Sequence, residues 1–224
     1  MKSLNCLVIG AFLALASFAM SDQRYFIQTY DWNTPAQFER EIELTYDQFQ
    51  GGAGFGQIEF EYGLTDRWMV APYLLLEREG GKTKVAGFQL EQRYRFGDFH
   101  YGRVLPAVYF EVHKENHESY ELEGKLIGSY LPNEKWIASG NFIVEQHIEK
   151  GAKTEIGYAA GLSRTYASYN VGIETKGNFL ENEHIVGPTV GFIVGDRAKI
   201  SVGAFYSFGK GDASVVRVLF EKEF

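Results

Sequence analysis

Three sets of residues in the sequence have types and spacings that chemistry could use. His117-Glu118-Ser119 contains the residue types of a base and a nucleophile, but a spacing of two residues does not establish a catalytic pair, and no G-x-S-x-G or H-E-x-x-H motif accompanies them. The five histidines are scattered, and only His113 and His117 are close in sequence, so no metal-ligand spacing is present. The run Gly51–Gly56 lacks the Lys-Ser/Thr of a phosphate-binding loop. We predict no metal site, no cofactor and no enzyme activity, with catalysis at His117 and Ser119 kept as an alternative.

The remaining chemistry lies in charged residues that recur at every second position. In the stretch 57–64, Ile58 and Phe60 share one face of an extended chain, while Glu59 and Glu61 share the other. In the stretch 86–96, Ala86 and Phe88 share the apolar face, while Gln89 and Glu91 share the charged one. A period of two is that of a β-strand with one apolar and one charged face. The mature chain offers no convincing stripe with the 3.6-residue period of a helix, so the elements that position the charges are strands.

Composition agrees with an all-β chain and limits the partners. The 224 residues include 25 Gly but only 5 Pro, and 16% are aromatic, which favours strands and tight turns. The formal net charge of −7 argues against nucleic acid as a partner. These averages do not exclude a transmembrane β-barrel, because its polar lumen masks its apolar outer surface.

The first residues form a segment of their own. Lys2 is followed by an apolar stretch without charges and then by small residues, which predicts a secretory signal peptide cleaved after Ala19 or Ser21. The single cysteine, Cys6, lies inside this segment, so the mature chain has no disulfide. We therefore divide the chain into a signal peptide (1–21), an N-terminal periplasmic lead (22–35) and one outer-membrane β-barrel (36–224).

The strand count decides between a soluble and a membrane protein. We count twelve strands from residue 37 to the end, the fifth at about 100–112. They are joined alternately by tight turns such as Thr65-Asp66 and by longer connections such as Asp47–Gly54 and Arg78–Thr83. A twelve-stranded barrel with its apolar face inward would enclose a wide void. The same barrel with its apolar face outward fits lipid. We predict a transmembrane antiparallel up-and-down β-barrel of about twelve strands in the outer membrane of a diderm bacterium.

If the apolar face meets lipid, the charged face lines the lumen. The charges assigned to the lumen are Glu39, Glu41, Glu43, Glu59, Glu61, Glu91, Arg93, Arg95, Glu111, Glu121, Glu123, Lys125, Glu145, Glu155, Glu174 and Arg217. Acids outnumber bases, so cross-strand pairing cannot neutralise them all, and the residual negative potential predicts a mild preference for cations.

Aromatic residues and the last strand add two further predictions. Rings near strand ends are typical of the membrane interface. The aromatic residues assigned to the interface are Trp68, Phe96, Tyr130, Trp136 and Tyr169. The chain ends in an alternating strand closed by Phe224, which predicts recognition by the outer-membrane assembly machinery.

Several segments resemble those of a known group of proteins. Glu61–Trp68, followed by Ala71-Pro72-Tyr73, is similar to the second hairpin of a broad group of small bacterial outer-membrane barrels, and Tyr94–Gly97 and the closing Phe224 are similar too. Some members are labelled transporters, including those named for the meta-pathway of phenol degradation. The resemblance implies the barrel fold and a transport role, and it brings no catalytic or binding residues.

The sequence therefore predicts a passive channel or transporter for a small solute. Its predicted partners are membrane lipid, the assembly machinery and the solute. Two alternatives remain open. One is a structural or interaction barrel whose lumen is plugged by its own side chains, and the other is an outer-membrane lipid-modifying enzyme.

Overall fold

A computed structural model describes residues 24–116, 118–210 and 214–224. The strands are β1 (Arg40–Phe49), β2 (Gly54–Thr65), β3 (Trp68–Glu79), β4 (Lys82–Arg95), β5 (Val104–Glu115), β6 (Tyr120–Asn133), β7 (Trp136–His147), β8 (Thr154–Thr165), β9 (Tyr169–Asn178), β10 (Glu183–Ile193), β11 (Ala198–Gly209) and β12 (Val215–Glu223). Each strand pairs with its sequence neighbours, and β1 pairs with β12, so the sheet is a closed antiparallel barrel. The predicted fold and the number of strands are confirmed. Among the described residues, no helix is long and apolar enough to cross a membrane.

Alternation along each strand sends apolar side chains outward. On β4, Phe88 is 62% exposed whereas the next residue, Gln89, is 8% exposed. On β6 the same contrast separates Leu126 at 62% from Lys125 at 7%. An apolar surface that surrounds the whole barrel is stable only in lipid, so the protein is an outer-membrane barrel.

The connections between strands differ less in length between the two ends of the barrel than the sequence predicts. We call the end at which β1 begins and β12 finishes the proximal end, and the other the distal end. The connection between β3 and β4 at the distal end is only Gly80-Gly81, in which both glycines have positive φ, so the long connection predicted there is wrong. At the proximal end, β5 begins at Val104 rather than near residue 100. Residues 96–103 form a longer connection with positive φ at Gly97 and Gly102.

Two further details of the strands differ from the alternation read in the sequence. β1 begins at Arg40 rather than near residue 37, since Phe38 has a φ of 70° and cannot continue an extended strand. The predicted outward direction of Ala86 is wrong. The pairing of β3 with β4 shifts beside this residue, and a bulge turns its buried side chain inward.

The largest correction concerns the chain before the barrel. Residues 22–35 were predicted to form a periplasmic lead, but residues 24–36, called here the N-terminal segment, lie inside the lumen. Phe26 and Ile27 are 1% and 3% exposed, and both contact inward-facing residues of the wall. The wall covers apolar side chains of this segment and accepts hydrogen bonds from several of its backbone amides, groups that a periplasmic lead would expose to water. The predicted signal peptide lies outside the described residues.

Candidate functional site

Alternation directs most of the predicted lumen charges inward. The buried ones are Glu43, Glu59, Glu61, Glu91, Arg93, Glu111, Glu123, Lys125 and Glu174. The half-buried ones are Glu39, Glu41, Arg95, Glu121, Glu145, Glu155 and Arg217. They do not form one continuous ring of charge, because those near the proximal end bind the N-terminal segment and those near the distal end line a cavity.

Glu174 of β9 binds three backbone amides of the N-terminal segment with one side chain. Its carboxylate accepts hydrogen bonds from the backbone N–H groups of Ile27, Gln28 and Thr29 at 2.8–2.9 Å. These three donors are consecutive, so they form a concave anion site that a single carboxylate fills. Bonds from N–H groups to an ionised carboxylate are stronger than bonds between neutral groups, and Glu174 therefore fixes the middle of the segment.

Uncharged polar side chains of the wall hold the backbone on either side of that point. The amide of Asn141 both accepts from the N–H of Tyr30 and donates to its C=O, each at 2.8 Å. Ser129 Oγ accepts from the N–H of Trp32 at 2.9 Å. The segment is not a strand, so these side chains replace the partners that a sheet would supply.

Basic side chains of the wall bind carbonyl groups of the same segment. Arg217 of β12 donates to the C=O of Ile27 at 3.0 Å, while the rest of its guanidinium binds Asp47. Arg93 of β4 donates to the C=O of Asn33 at 3.2 Å. The contacts reach the segment from β4, β6, β7, β9 and β12, so the segment crosses the bore rather than following one side of it.

Apolar side chains fill the space between these polar contacts. Phe26 and Trp32 pack with inward-facing apolar residues of β5, β6 and β7, among them Ile127. Two glycines of the wall make room for the segment. A Cβ on Gly161 would lie 2.5 Å from the ring of Phe26, and one on Gly203 would lie 2.6 Å from Ile27 Cδ1. The inner half of the lumen is therefore packed like a protein core.

The first described residue, Arg24, lies among carboxylates of the wall. Its Nη1 is 2.7 Å from Glu43 Oε2, its backbone N–H donates to Glu221 at 2.9 Å, and its guanidinium lies 4.6 Å from the centre of the Tyr30 ring. Lys199 donates to its backbone carbonyl. A cation of the segment thus compensates part of the negative charge of β1 and β12.

Above the segment, towards the distal end, lies a cavity of about 210 Å³. We call it the distal cavity. Its floor is formed by the N-terminal segment, including Arg24 and Tyr30. Its charged wall residues are Glu59, Glu111, Glu121, Glu123, Glu145, Lys125, Lys176 and Arg217. A cavity lined by charged side chains suits a polar or charged solute.

Pairing leaves the distal cavity with an excess of acids. Lys125 binds Glu123 at 2.6 Å, and Arg217 binds Asp47 at 2.5 Å. Within the described residues, neither Glu59 nor Glu145 has a Lys or Arg within ion-pair distance. Counting Arg24, five acidic and four basic side chains line the cavity, so its formal charge is negative.

The rim of the barrel at the distal end also carries negative charge. Glu181 lies in the connection between β9 and β10, and the charge of the nearby Glu155 raises the pKa of Glu181, with lesser contributions from burial and Glu183. At the proximal end, by contrast, opposite charges are paired. The Asp98 carboxylate accepts a hydrogen bond from Arg67 at 2.7 Å and raises the pKa of that guanidinium.

The other predicted site residues lie outside the lumen. The five aromatic residues assigned to the interface are exposed and lie near the proximal end, and three of them, Trp68, Trp136 and Tyr169, are the first residues of strands. Phe224 is exposed, and its N–H bonds to the C=O of Arg40 beside the seam of β1 and β12. Of the alternative catalytic pair, His117 lies outside the described residues, so no contact with Ser119 is known.

Sequence reasoning missed the residues that hold the N-terminal segment. These residues are Ser129, Asn141 and Asn170, the last of which donates to the C=O of Tyr25 at 3.1 Å. They lie on the same strand faces as the charged residues but carry no charge, so the charge pattern did not single them out. One signal was available. Leu105, Ile127 and Ile137 are apolar yet stand on the charged face of their strands, and apolar side chains facing a lumen indicate that something apolar fills it.

Comparison with known proteins adds support for the fold. No family model and no curated protein matches the chain. Among solved structures, the chain is similar to a KdgM porin in complex with disordered oligogalacturonate, with a TM-score of 0.66 and 10% identity over 82% of this chain and 99% of the porin. It is similar to an outer membrane channel from Pseudomonas putida F1, with a TM-score of 0.66 and 8% identity over 89% and 100%. It is also similar to the NanC porin, with a TM-score of 0.64 and 7% identity over 82% of this chain and 98% of the porin. At these identities the similarity establishes the barrel fold, which agrees with the predicted resemblance to small outer-membrane barrels, and the resemblance to the phenol-degradation group stays a prediction.

Proposed function

We propose that the protein is a passive outer-membrane channel for a small solute, with a mild preference for cations, and that its N-terminal segment closes the bore. The observation that carries this proposal is that the barrel wall leaves room for a whole stretch of chain. Residues 24–36 cross the inner half of the lumen, and the distal cavity continues the passage above them. When the segment moves aside, a path of peptide width runs through the barrel. The porins and the channel among its structural neighbours support this function.

The way in which the segment is held suits a movable element. Its contacts are hydrogen bonds from wall side chains and apolar packing, whereas the strands are joined by continuous backbone ladders. Releasing the segment therefore breaks no strand pairing, and regions with few backbone partners open at lower free energy than the sheet. The cation preference is supported by the unpaired carboxylates of the distal cavity, such as Glu59 and Glu145.

A reversible cross-link tests this function. Ser129 Oγ is 2.9 Å from the backbone nitrogen of Trp32, so Trp32→Cys with Ser129→Cys places two thiols within disulfide reach in a mature chain that has no other cysteine. We expect the oxidised variant to conduct no ions in a planar bilayer and the reduced variant to conduct. The single variant Trp32→Cys controls for loss of the indole. Equal conductance before and after reduction would show that ions do not pass through the inner half.

A second candidate function is favoured by one observation. The dense packing of Phe26 and Trp32 resembles a permanent core, which fits a structural or interaction barrel with a closed lumen. The same experiment separates the two candidates. If neither the wild-type protein nor the reduced variant passes ions, the channel is excluded and the closed barrel is retained.

We propose the remaining roles from position. The proximal end faces the periplasm, and its exposed aromatic residues lie at the membrane interface. The assembly machinery recognises the last strand with Phe224, residues 1–21 are removed as a signal peptide, and neither a cofactor nor catalysis is involved. Phe224→Ala is expected to lower the yield of folded protein in the outer membrane, measured by heat-modifiable mobility in gel electrophoresis, without changing the conductance of the molecules that assemble.

A further inference from the structure

Carboxylates stand side by side on neighbouring strands next to the N-terminal segment. In the register of the sheet, Glu43 of β1 lies opposite Glu59 of β2 on one side and opposite Glu221 of β12 on the other. All three are buried. Carboxylate oxygens of Glu43, Glu59 and Glu61 lie within 4.8 Å of one another. Like charges directly opposite each other destabilise a sheet, so this arrangement calls for compensation by cations.

The basic residues of the protein compensate only part of this charge. Arg24 binds Glu43 through Oε2, and Arg93 binds Glu61. Glu59 is 2% exposed, and among the described residues it has no ion pair. The Oε1 atoms of Glu43 and Glu59 are buried without a hydrogen-bond partner. Leaving buried carboxylate oxygens unpaired is costly. The buried and unpartnered Glu59 side chain is therefore the observation that indicates a cation-binding site.

We propose that Glu43, Glu59 and Glu61 bind a hard divalent cation of the Ca²⁺ or Mg²⁺ type. Such ions take oxygen ligands at about 2.0–2.6 Å, so oxygens that share one ion lie within about 5 Å of each other. Glu59 lines the distal cavity, which gives the ion a route from outside. The bound ion links β1 to β2 beside Arg24 and neutralises Glu59, which has no ion pair with a described basic residue. The sequence predicted no metal site because its histidines are scattered, whereas here the strand register assembles a site from carboxylates alone.

Calcium titration of the folded mature protein in detergent, after removal of divalent ions by a chelator, tests the site. We expect one Ca²⁺ to bind per chain in isothermal titration calorimetry and the thermal unfolding temperature to rise by several degrees. Mg²⁺ competes if the site is unselective. Terbium is expected to bind in the same place and to emit on excitation of tyrosine, because Tyr73 also lines this part of the cavity.

The decisive variant is Glu59→Gln, which removes a ligand without breaking any ion pair in the described residues. We expect it to lower calcium affinity at least tenfold. The matched control is Glu123→Gln, a buried lumen carboxylate that is paired with Lys125 and lies outside the carboxylate group, and its affinity is expected to stay within twofold of wild type. Heat-modifiable gel mobility confirms that both variants are folded. The proposal is overturned if the wild-type protein shows no saturable calcium binding or if Glu59→Gln binds as tightly as wild type. Because binding is measured without conductance, this result is independent of the channel function.

Discussion

The inner and distal halves of the lumen are built on the same twelve strands but hold different contents. In the inner half the wall presents uncharged polar groups, apolar side chains and paired charges, such as Asn141, Ile127 and Glu61, and the N-terminal segment fills the space between them. In the distal half the same strands present Glu121, Glu145 and Lys176 around an open cavity. The change from one set of residues to the other occurs within single strands.

Under the proposed function, this difference explains how one barrel is both closed and ready to conduct. A packed inner half needs a segment whose backbone groups are all satisfied, and Glu174 alone satisfies three of them. An open distal half needs charges that stay hydrated or paired. The free energy that docks the segment therefore resides in the inner half, whereas the proposed ion preference would arise in the distal half, and substitutions in the two halves are expected to have separable effects.

The largest expected effect comes from Phe26→Ala in the inner half. Truncating a buried Phe costs about 3–5 kcal/mol in protein cores, and here this cost falls on the docked state of the segment. We expect the segment to be released in a fraction of molecules that rises by a factor of about 10²–10⁴. Hydrogen exchange of the amides of residues 27–30 measures the release, and open probability in a bilayer should rise with it.

Leu180→Ala provides the comparison for this variant, since Leu180 is an exposed residue of the connection between β9 and β10 at the distal end. It should change neither exchange nor open probability. If Phe26→Ala leaves the amides of residues 27–30 as protected as in wild type, packing does not hold the segment in the lumen.

A smaller effect is expected when the wall rather than the segment is altered. Gly161→Ala places a Cβ 2.5 Å from the ring of Phe26, so the ring must shift. Overpacking of this kind costs about 1–3 kcal/mol. The matched variant is Gly140→Ala, whose Cβ would have no neighbour within 4 Å. Faster amide exchange in the segment for Gly161→Ala but not for Gly140→Ala would locate the effect at the contact between wall and segment, whereas equal rates would argue that the glycine is not needed for docking.

The fold was predictable because alternation is a property of single strands. The pairs Phe88/Gln89 and Leu126/Lys125 show the two faces directly in the sequence, and twelve such strands exceed what a soluble core can fill. The places where prediction was wrong are those where the backbone departs from alternation. They include the bulge that turns Ala86 inward and the positive φ of Phe38, which delays β1.

The contents of the lumen were less predictable, because they depend on contacts between residues far apart in sequence. Glu174 and Gln28 are 146 positions apart, and nothing near either residue in the sequence points to the other. The carboxylates were identified as inward charges, but only the register shows that Glu43 has a carboxylate on each side. Periodicity gives the direction of a side chain, whereas partners across the barrel follow from closure of the sheet.

The smallest expected effect concerns ion preference in the distal half. Glu121 and Glu145 line the distal cavity, and no described Lys or Arg forms an ion pair with either. Replacing both with Gln keeps their size while removing their acidic groups from the path. Cation preference, measured as the reversal potential in a salt gradient, should fall, and it should fall more at 0.01 M salt, where the Debye length is about 30 Å and spans the bore. Glu61→Gln in the inner half is the counterpart. Because Glu61 is bonded to the buried Arg93, its replacement should lower thermal stability and leave the reversal potential nearly unchanged.

An unchanged reversal potential in the distal double variant would mean that Glu121 and Glu145 do not set ion preference. A larger shift for Glu61→Gln would place the selective part of the path in the inner half, where the N-terminal segment lies.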